Sequence, residues 1–134
     1  MLHAIGLYVV TAVLFLALDV IGITKIVQPV FARHIGPLLA DPIRIGPAAV
    51  FYLFYVLGLL WLVSLPALRA GAPLQALVGG LILGLLCYGT YEFTNYATLA
   101  DWTLEQVAVD LVWGTCLTGF CAWAGVAIFS GKLA

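Results

Sequence analysis

Residues 45–68 read IGPAAVFYLFYVLGLLWLVSLPAL and contain no Asp, Glu, Lys or Arg. A run of roughly 18 apolar residues is already enough to argue for a membrane helix. Met1 to Leu18, Ala70 to Tyr91 and Leu111 to Gly131 are likewise free of acidic and basic residues. A transmembrane barrel would instead alternate apolar and polar residues over segments of about ten, and no such alternation is present. The sequence therefore predicts a single all-α membrane domain over residues 1–134, an antiparallel four-helix transmembrane bundle. Its helices are expected at about Leu2 to Ile26, Pro47 to Leu65, Leu74 to Leu99 and Leu104 to Ser130.

The rest of the chain agrees with this reading. Of its 134 residues 65% are hydrophobic and 8% charged, with Lys+Arg 5 and Asp+Glu 6. A soluble domain carries roughly a quarter of its residues as charges, so a water-exposed surface is excluded. A net charge of -1 without a basic run excludes nucleic acid as a partner, because phosphate binding needs a positive face.

Local signals mark the helix ends. Asp41-Pro42 and Gly46-Pro47 fit poorly inside a helix, whereas Pro47 is well placed at a helix start. Pro66, Gly71 and Pro73 are expected to close the second helix and open the third through a short turn. Thr103 and Gln106 have the spacing of a capping box, with Glu105 in the first turn. In the longer connection from about Lys25 to Ile45, Phe31, Ile35, Leu38 and Leu39 recur at helical spacing beside Arg33 and His34. This suggests a short interfacial helix broken near Gly36-Pro37; the alternative is an irregular loop.

The first helix lacks a basic n-region and a small-residue cleavage site, so it is expected to be retained rather than removed as a signal peptide. Cys87, Cys116 and Cys121 fall within predicted spans and are read as small packing residues. His3 and His34 have no partner at ligand spacing. No metal site or cofactor is expected. The face bearing the first and third connections, side B, carries Lys25, Arg33 and Arg44; side A carries Arg69, Lys132 and the terminal amine. This near-tie leaves orientation open.

Depth is more informative. At 1.5 Å per residue, Asp19, Glu92 and Asp110 each fall about two turns from the side-B end of a helix, and Tyr52 and Tyr55 lie at similar depth. Tyr88, Tyr91, Glu92 and Asn95 form one stripe on the third helix. Tyr8, Phe15 and Asp19 form another on the first, and Gln106, Asp110, Trp113 and Gly114 a third on the fourth. Facing lipid would cost about 2.5–3.5 kcal/mol per ionisable group even on a lenient scale, so the stripes should turn inward around a polar pocket opening toward side B. The candidate pocket residues are Asp19, Tyr52, Tyr55, Tyr88, Tyr91, Glu92, Asn95, Asp110 and Trp113.

No Lys or Arg shares that depth within the spans, although Lys25 is near enough to be considered as a counter-charge. Three carboxylates cannot all ionise cheaply in a low dielectric, so at least one is expected to be protonated or to hold a cation. The alternative is that the polar groups are interhelical packing glue. Asp101 and Glu105 read as wetted loop and helix-start residues. Gly80 and Gly84 form a small-xxx-small pair, expected to pack within the protomer, and Trp102 best fits an interfacial anchor.

The blocks Phe15-Leu16-Ala17-Leu18-Asp19, Phe51-Tyr52-Leu53-Phe54-Tyr55, Gly89 through Leu99, and Asp110-Leu111-Val112-Trp113-Gly114-Thr115 resemble a bacterial integral membrane family called domain of unknown function twenty-one seventy-seven. Its pattern would have Asp at Glu92 and an aromatic residue among positions 21–23. The resemblance implies a four-helix, multi-pass protein of the bacterial inner membrane and supplies no established activity. Three classes remain: a pocket protein binding or moving a proton, small cation or amphipathic ligand; an accessory or structural subunit of a larger membrane complex; and a lipid-directed membrane enzyme. The enzyme is least favoured, since no catalytic set can be named. Expected partners are the lipid bilayer and a homo-oligomer or larger complex.

Overall fold

The computed structural model describes the backbone of residues 1–133 and the side chains of residues 1–131. Lys132, counted above toward side A, has its side chain outside the described residues. Four helices are long and apolar enough to cross a membrane: Leu2–Leu38, Ile45–Arg69, Pro73–Thr98 and Leu104–Gly131. They form an all-α bundle in which sequence neighbours run antiparallel. Gly84 meets Gly114 and Thr118 across the third and fourth helices, while Gly80 meets Gly119 and Ala122. Leu7 and Thr11 of the first helix face Gly125, whereas Gly22 faces Trp113.

The fourth helix is the most buried of the four. Its glycines let the third helix approach backbone to backbone, as small-residue interfaces do in membranes. Phe15, Leu7, Leu59, Val56, Val126 and Cys121 fill the adjoining core. The opposite faces present large apolar residues such as Phe54, Trp61, Leu86 and Val112, as a lipid-facing exterior requires.

Two helix ends depart from the sequence expectation for the same physical reason. The first helix does not stop near Ile26. It widens into a π-helical turn at Ile23–Val27, resumes as Gln28–Ile35 and ends in a 3-10 turn at Gly36–Leu38. The second passes through a π-helical turn at Leu60–Ser64 before continuing as Leu65–Arg69. In each case one residue separates the wide turn from a proline, Pro29 or Pro66. A proline lacks an N–H and crowds the preceding turn, and the local change to i→i+5 bonding accommodates it. Pro66 is therefore inside the second helix rather than at its end.

At 37 residues, the first rod measures about 55 Å, nearly twice the roughly 30 Å hydrocarbon thickness. Its last turns are not a separate piece lying in the interface. Phe31 and Ile35 are buried in a second cluster with Val27, Trp102 and Val107, so this part of the rod docks on the turn between the third and fourth helices. On its exposed side, Arg33 and His34 contact Glu105 Oε1 at 2.7 and 2.8 Å. Glu105 thus has a cross-helix contact beyond the helix-start role read from sequence. Both side chains of the Arg33–Glu105 pair are half-exposed or more, so solvent screens this link and it adds little to stability.

The remaining ends follow their signals closely. Gly71, with φ 61, turns the chain between the second and third helices. Ala72 N–H donates to Ala67 O at 2.9 Å and Gly71 N–H to Leu68 O at 3.0 Å, the paired bonds of a Schellman end, in which glycine avoids the Cβ penalty. Gln106 Oε1 accepts from Thr103 N at 2.8 Å, and Gln106 N donates to Thr103 Oγ1 at 3.2 Å; the capping box is formed. The topology puts Ala72 and Asp101 on opposite sides of the membrane. Single cysteines introduced there should react with an impermeant thiol reagent from opposite faces of oriented vesicles, and labelling from the same face would remove one span.

Candidate functional site

The described layer of acids divides into a cavity and a buried site behind it. The cavity has a volume of about 450 Å³, within the range typical of small-ligand sites. The first helix contributes Asp19, Ile23, Val27 and Phe31; the second contributes Phe51, Tyr52 and Tyr55. Cys87, Tyr88 and Tyr91 come from the third helix, and Asp110 comes from the fourth. Six of the sequence-selected residues therefore share this wall: Asp19, Tyr52, Tyr55, Tyr88, Tyr91 and Asp110.

Asp19 is only 3% exposed. Trp113 Nε1 donates to its Oδ1 at 3.2 Å, with the Trp113 ring lying against Gly22, where a Cβ would collide with it. Trp113 is not on the wall; it holds the acid that is. Tyr52 lies beside Asp19, and the rings of Tyr52 and Tyr55 pack on Phe15 at centroid distances of 5.7 and 5.5 Å. Tyr55 OH is 2.9 Å from Thr118 Oγ1. Thr118 donates its proton to Gly114 O at 2.7 Å, so the tyrosine is the donor in the first bond. Tyr88 seats its ring over Gly114, in the space a Cβ would fill, and its hydroxyl lies beside that of Tyr52.

Glu92 occupies the second compartment. It is 0% exposed and does not line the cavity. Trp102 Nε1 donates to Glu92 Oε1 at 2.9 Å, and the Asp110 carboxyl lies within side-chain bonding reach of the same group. Asp110 is its acidic neighbour and stands between it and the cavity. Asn95 is half-buried and also lies off the cavity wall.

Trp102 departs from the sequence reading. It is 7% exposed and therefore not an interfacial anchor. Its ring makes edge contacts with Phe31 at 5.2 Å and Tyr91 at 5.8 Å. This one indole connects the extended first helix, the third helix and the buried carboxyl. Lys25 is exposed and, among the described residues, forms no ion pair with Asp19, so the proposed counter-charge is not in place.

Sequence reasoning omitted Ile23, Val27, Phe31, Phe51 and Cys87 from the pocket. The apolar face containing Phe31 was visible, but its destination depended on the uninterrupted first helix. The cysteines also diverge in role: Cys121 is buried, whereas Cys87 and Cys116 are exposed and all three are free. Among the described residues, no group of three or more His, Cys, Asp or Glu side chains is arranged to hold a metal ion.

A family model described as Predicted membrane protein (DUF2177) matches residues 4–127. No curated protein and no solved structure matches the chain.

Proposed function

Because this chain belongs to that family of predicted membrane proteins, with four helices suited to crossing a bilayer, we propose that it acts by receiving a small amphipathic ligand within the membrane. The observation carrying this reading is the roughly 450 Å³ cavity that gathers Asp19, Asp110 and four tyrosines on one wall. A proton or a bare ion needs no comparable space. An amphipathic molecule does, with its polar end against the carboxyl and phenol groups and its apolar part against Ile23, Val27, Phe31 and Phe51. Polar residues acting solely as packing glue would give no reason to hold their side chains this far apart.

The helical architecture supports placement in a bacterial inner membrane rather than among the closed barrels of outer membranes. In this reading the protein is a binding or transfer component, and Glu92 supports the site from behind through Asp110. The accessory-subunit alternative lacks a comparable structural observation.

The reading is tested by thermal unfolding of the full chain in lipid nanodiscs. Dodecanol and dodecyltrimethylammonium are supplied at matched membrane concentrations. At least one should raise the unfolding midpoint saturably, approaching about 2.7 kcal/mol of stabilisation at a hundred times its dissociation constant. Ile23→Trp, designed to fill the cavity, should abolish that rise. A non-saturable response, or an equal response in the filled variant, is incompatible with pocket binding.

A further inference from the structure

The wall combines two carboxyls with six aromatic rings, those of Phe31, Phe51, Tyr52, Tyr55, Tyr88 and Tyr91. It includes no Lys or Arg. Carboxyl groups attract a positive charge, and aromatic faces stabilise an alkylated ammonium through their quadrupoles. An anionic head would face acids without a compensating base, while a neutral head would leave the charge pattern unused. A zwitterionic phospholipid would bring a phosphate close to Asp19 and Asp110. The complementary head is therefore ammonium, carried by a molecule without a phosphate.

A path for its tail is visible in the bundle. The first half of the second helix, Ile45–Leu59, packs on the first helix, whereas packing against the third begins chiefly in the Leu60–Ser64 turn and continues through Leu65–Arg69. Val63 closes on Gly79 in that second half. Toward side B the two helices are bridged by Tyr55, whose ring meets Tyr88 at 6.2 Å and whose hydroxyl bonds Cys87, and about one turn nearer side B than this bridge Phe51 and Tyr91 are exposed. The side-B end of the cavity, expected from sequence to be its opening, is instead covered by Phe31 packed on Trp102. Thus a sideways path between helices is more open than a path along the first helix toward water.

Resting on the pocket reading above, we infer that the cavity receives the ammonium head of a single-tailed amphipath between Asp19 and Asp110, with the tail leaving laterally between the second and third helices. Both features are needed: the carboxyls select the head, and the gap lets its tail remain in lipid. The proposal assigns a ligand class rather than a transport direction or reaction.

The test uses full-length protein in phosphatidylglycerol nanodiscs and alkyltrimethylammonium probes bearing a diazirine either beside the head or at the tail end. After photolysis, peptide mass spectrometry should place the head probe on the cavity-wall segments containing Tyr52 or Tyr88. Fragmentation of the labelled peptides should place the tail probe instead on lipid-exposed residues of the same two helices outside the wall, such as Phe54 or Leu86. An otherwise identical alcohol-headed probe should label the wall at least tenfold less at equal membrane concentration. Asp19→Asn combined with Asp110→Asn should reduce ammonium labelling at least tenfold while keeping the buried Cys121 protected from thiol reagents.

Equal wall labelling by the alcohol would overturn ammonium selection while preserving an amphipath pocket. Failure of both probes to label the wall would overturn both readings. Tail labelling on the first or fourth helix instead would overturn the lateral path. Strong competition by phosphatidylethanolamine would assign the head site to bilayer phospholipid and overturn the single-tailed assignment. If the double variant exposes Cys121, the wild-type comparison of ammonium and alcohol still decides selectivity.

Discussion

Gly84→Leu should prevent the third and fourth helices from closing and should leave little folded protein. A Cβ at Gly84 would lie 2.9 Å from Gly114 O, Thr115 Cα and Thr118 Cβ. Two of these contacts are backbone atoms, which cannot escape by changing rotamer. Leucine would add further carbons along the same direction. Overpacking generally costs about 1–3 kcal/mol, with larger values where relaxation is blocked, and this rigid crossing puts the expected loss at about 3 kcal/mol or more. That is a large fraction of an ordinary folding stability of about 5–15 kcal/mol.

Gly84→Ala should produce a smaller loss, while Gly58→Leu should be nearly neutral because a Cβ at Gly58 meets nothing within 4 Å. Unfolding in graded mixed micelles, together with yield of monodisperse protein, measures the series. If Gly84→Leu instead retained wild-type stability and changed only the oligomer size, the glycine contact would lie between copies rather than within the bundle.

Trp102→Ala should release the side-B end of the first helix. Removing the indole abolishes packing against Phe31 and Tyr91 and leaves Glu92 Oε1 without its Trp102 donor. Large-to-small substitution of a buried Trp costs about 3–5 kcal/mol, before any penalty for the deserted carboxyl oxygen. Trp102→Phe keeps an aromatic ring but removes its N–H, so its loss should fall nearer the roughly 1–3 kcal/mol cost of an unsatisfied buried group. Adding Glu92→Leu to Trp102→Phe should recover part of that loss, because both halves of the hydrogen bond are then gone.

Trypsin cleavage after Arg33 gives a local readout: faster cleavage is expected in Trp102→Ala, with Trp102→Phe intermediate. Trp61→Ala serves as a lipid-facing comparison, since Trp61 is 77% exposed. Equal stability and cleavage in Trp61→Ala and Trp102→Ala would refute the docking role of Trp102.

The four spans were legible because uncharged runs of 18 to 24 residues impose the same exterior chemistry wherever they occur. Gly71 and the Thr103–Gln106 box marked two helix boundaries through local backbone requirements, and the corresponding bonds are formed. The proline-containing stretches were less legible. A proline usually ends a helix, but the wide turns before Pro29 and Pro66 absorb that conflict, and only their tertiary destinations distinguish continuation from termination.

The acid layer was readable by depth, while its division into cavity and buried compartment was not. Tyr88, Tyr91 and Glu92 share a stripe, yet the stripe is broad enough to meet two different neighbours. Tyr88 and Tyr91 reach the cavity, whereas Glu92 faces Trp102. The Trp102 bond was obscured by that residue's position after a membrane span, where Trp commonly marks the interface. Phe31 was recognised as apolar, but its place on the wall required the first helix to pass straight through Pro29.

The wide turns at Ile23–Val27 and Leu60–Ser64 also have an evolutionary consequence. A π-helical bulge accommodates one surplus residue without turning the entire distal helix by the roughly 100° that an extra α-helical residue imposes. Relatives lacking one residue in either stretch can therefore preserve the same downstream faces with an ordinary turn. An alignment that forces these stretches to equal length would then misregister Phe31 or Ala67 by one position while the contact surfaces stayed the same.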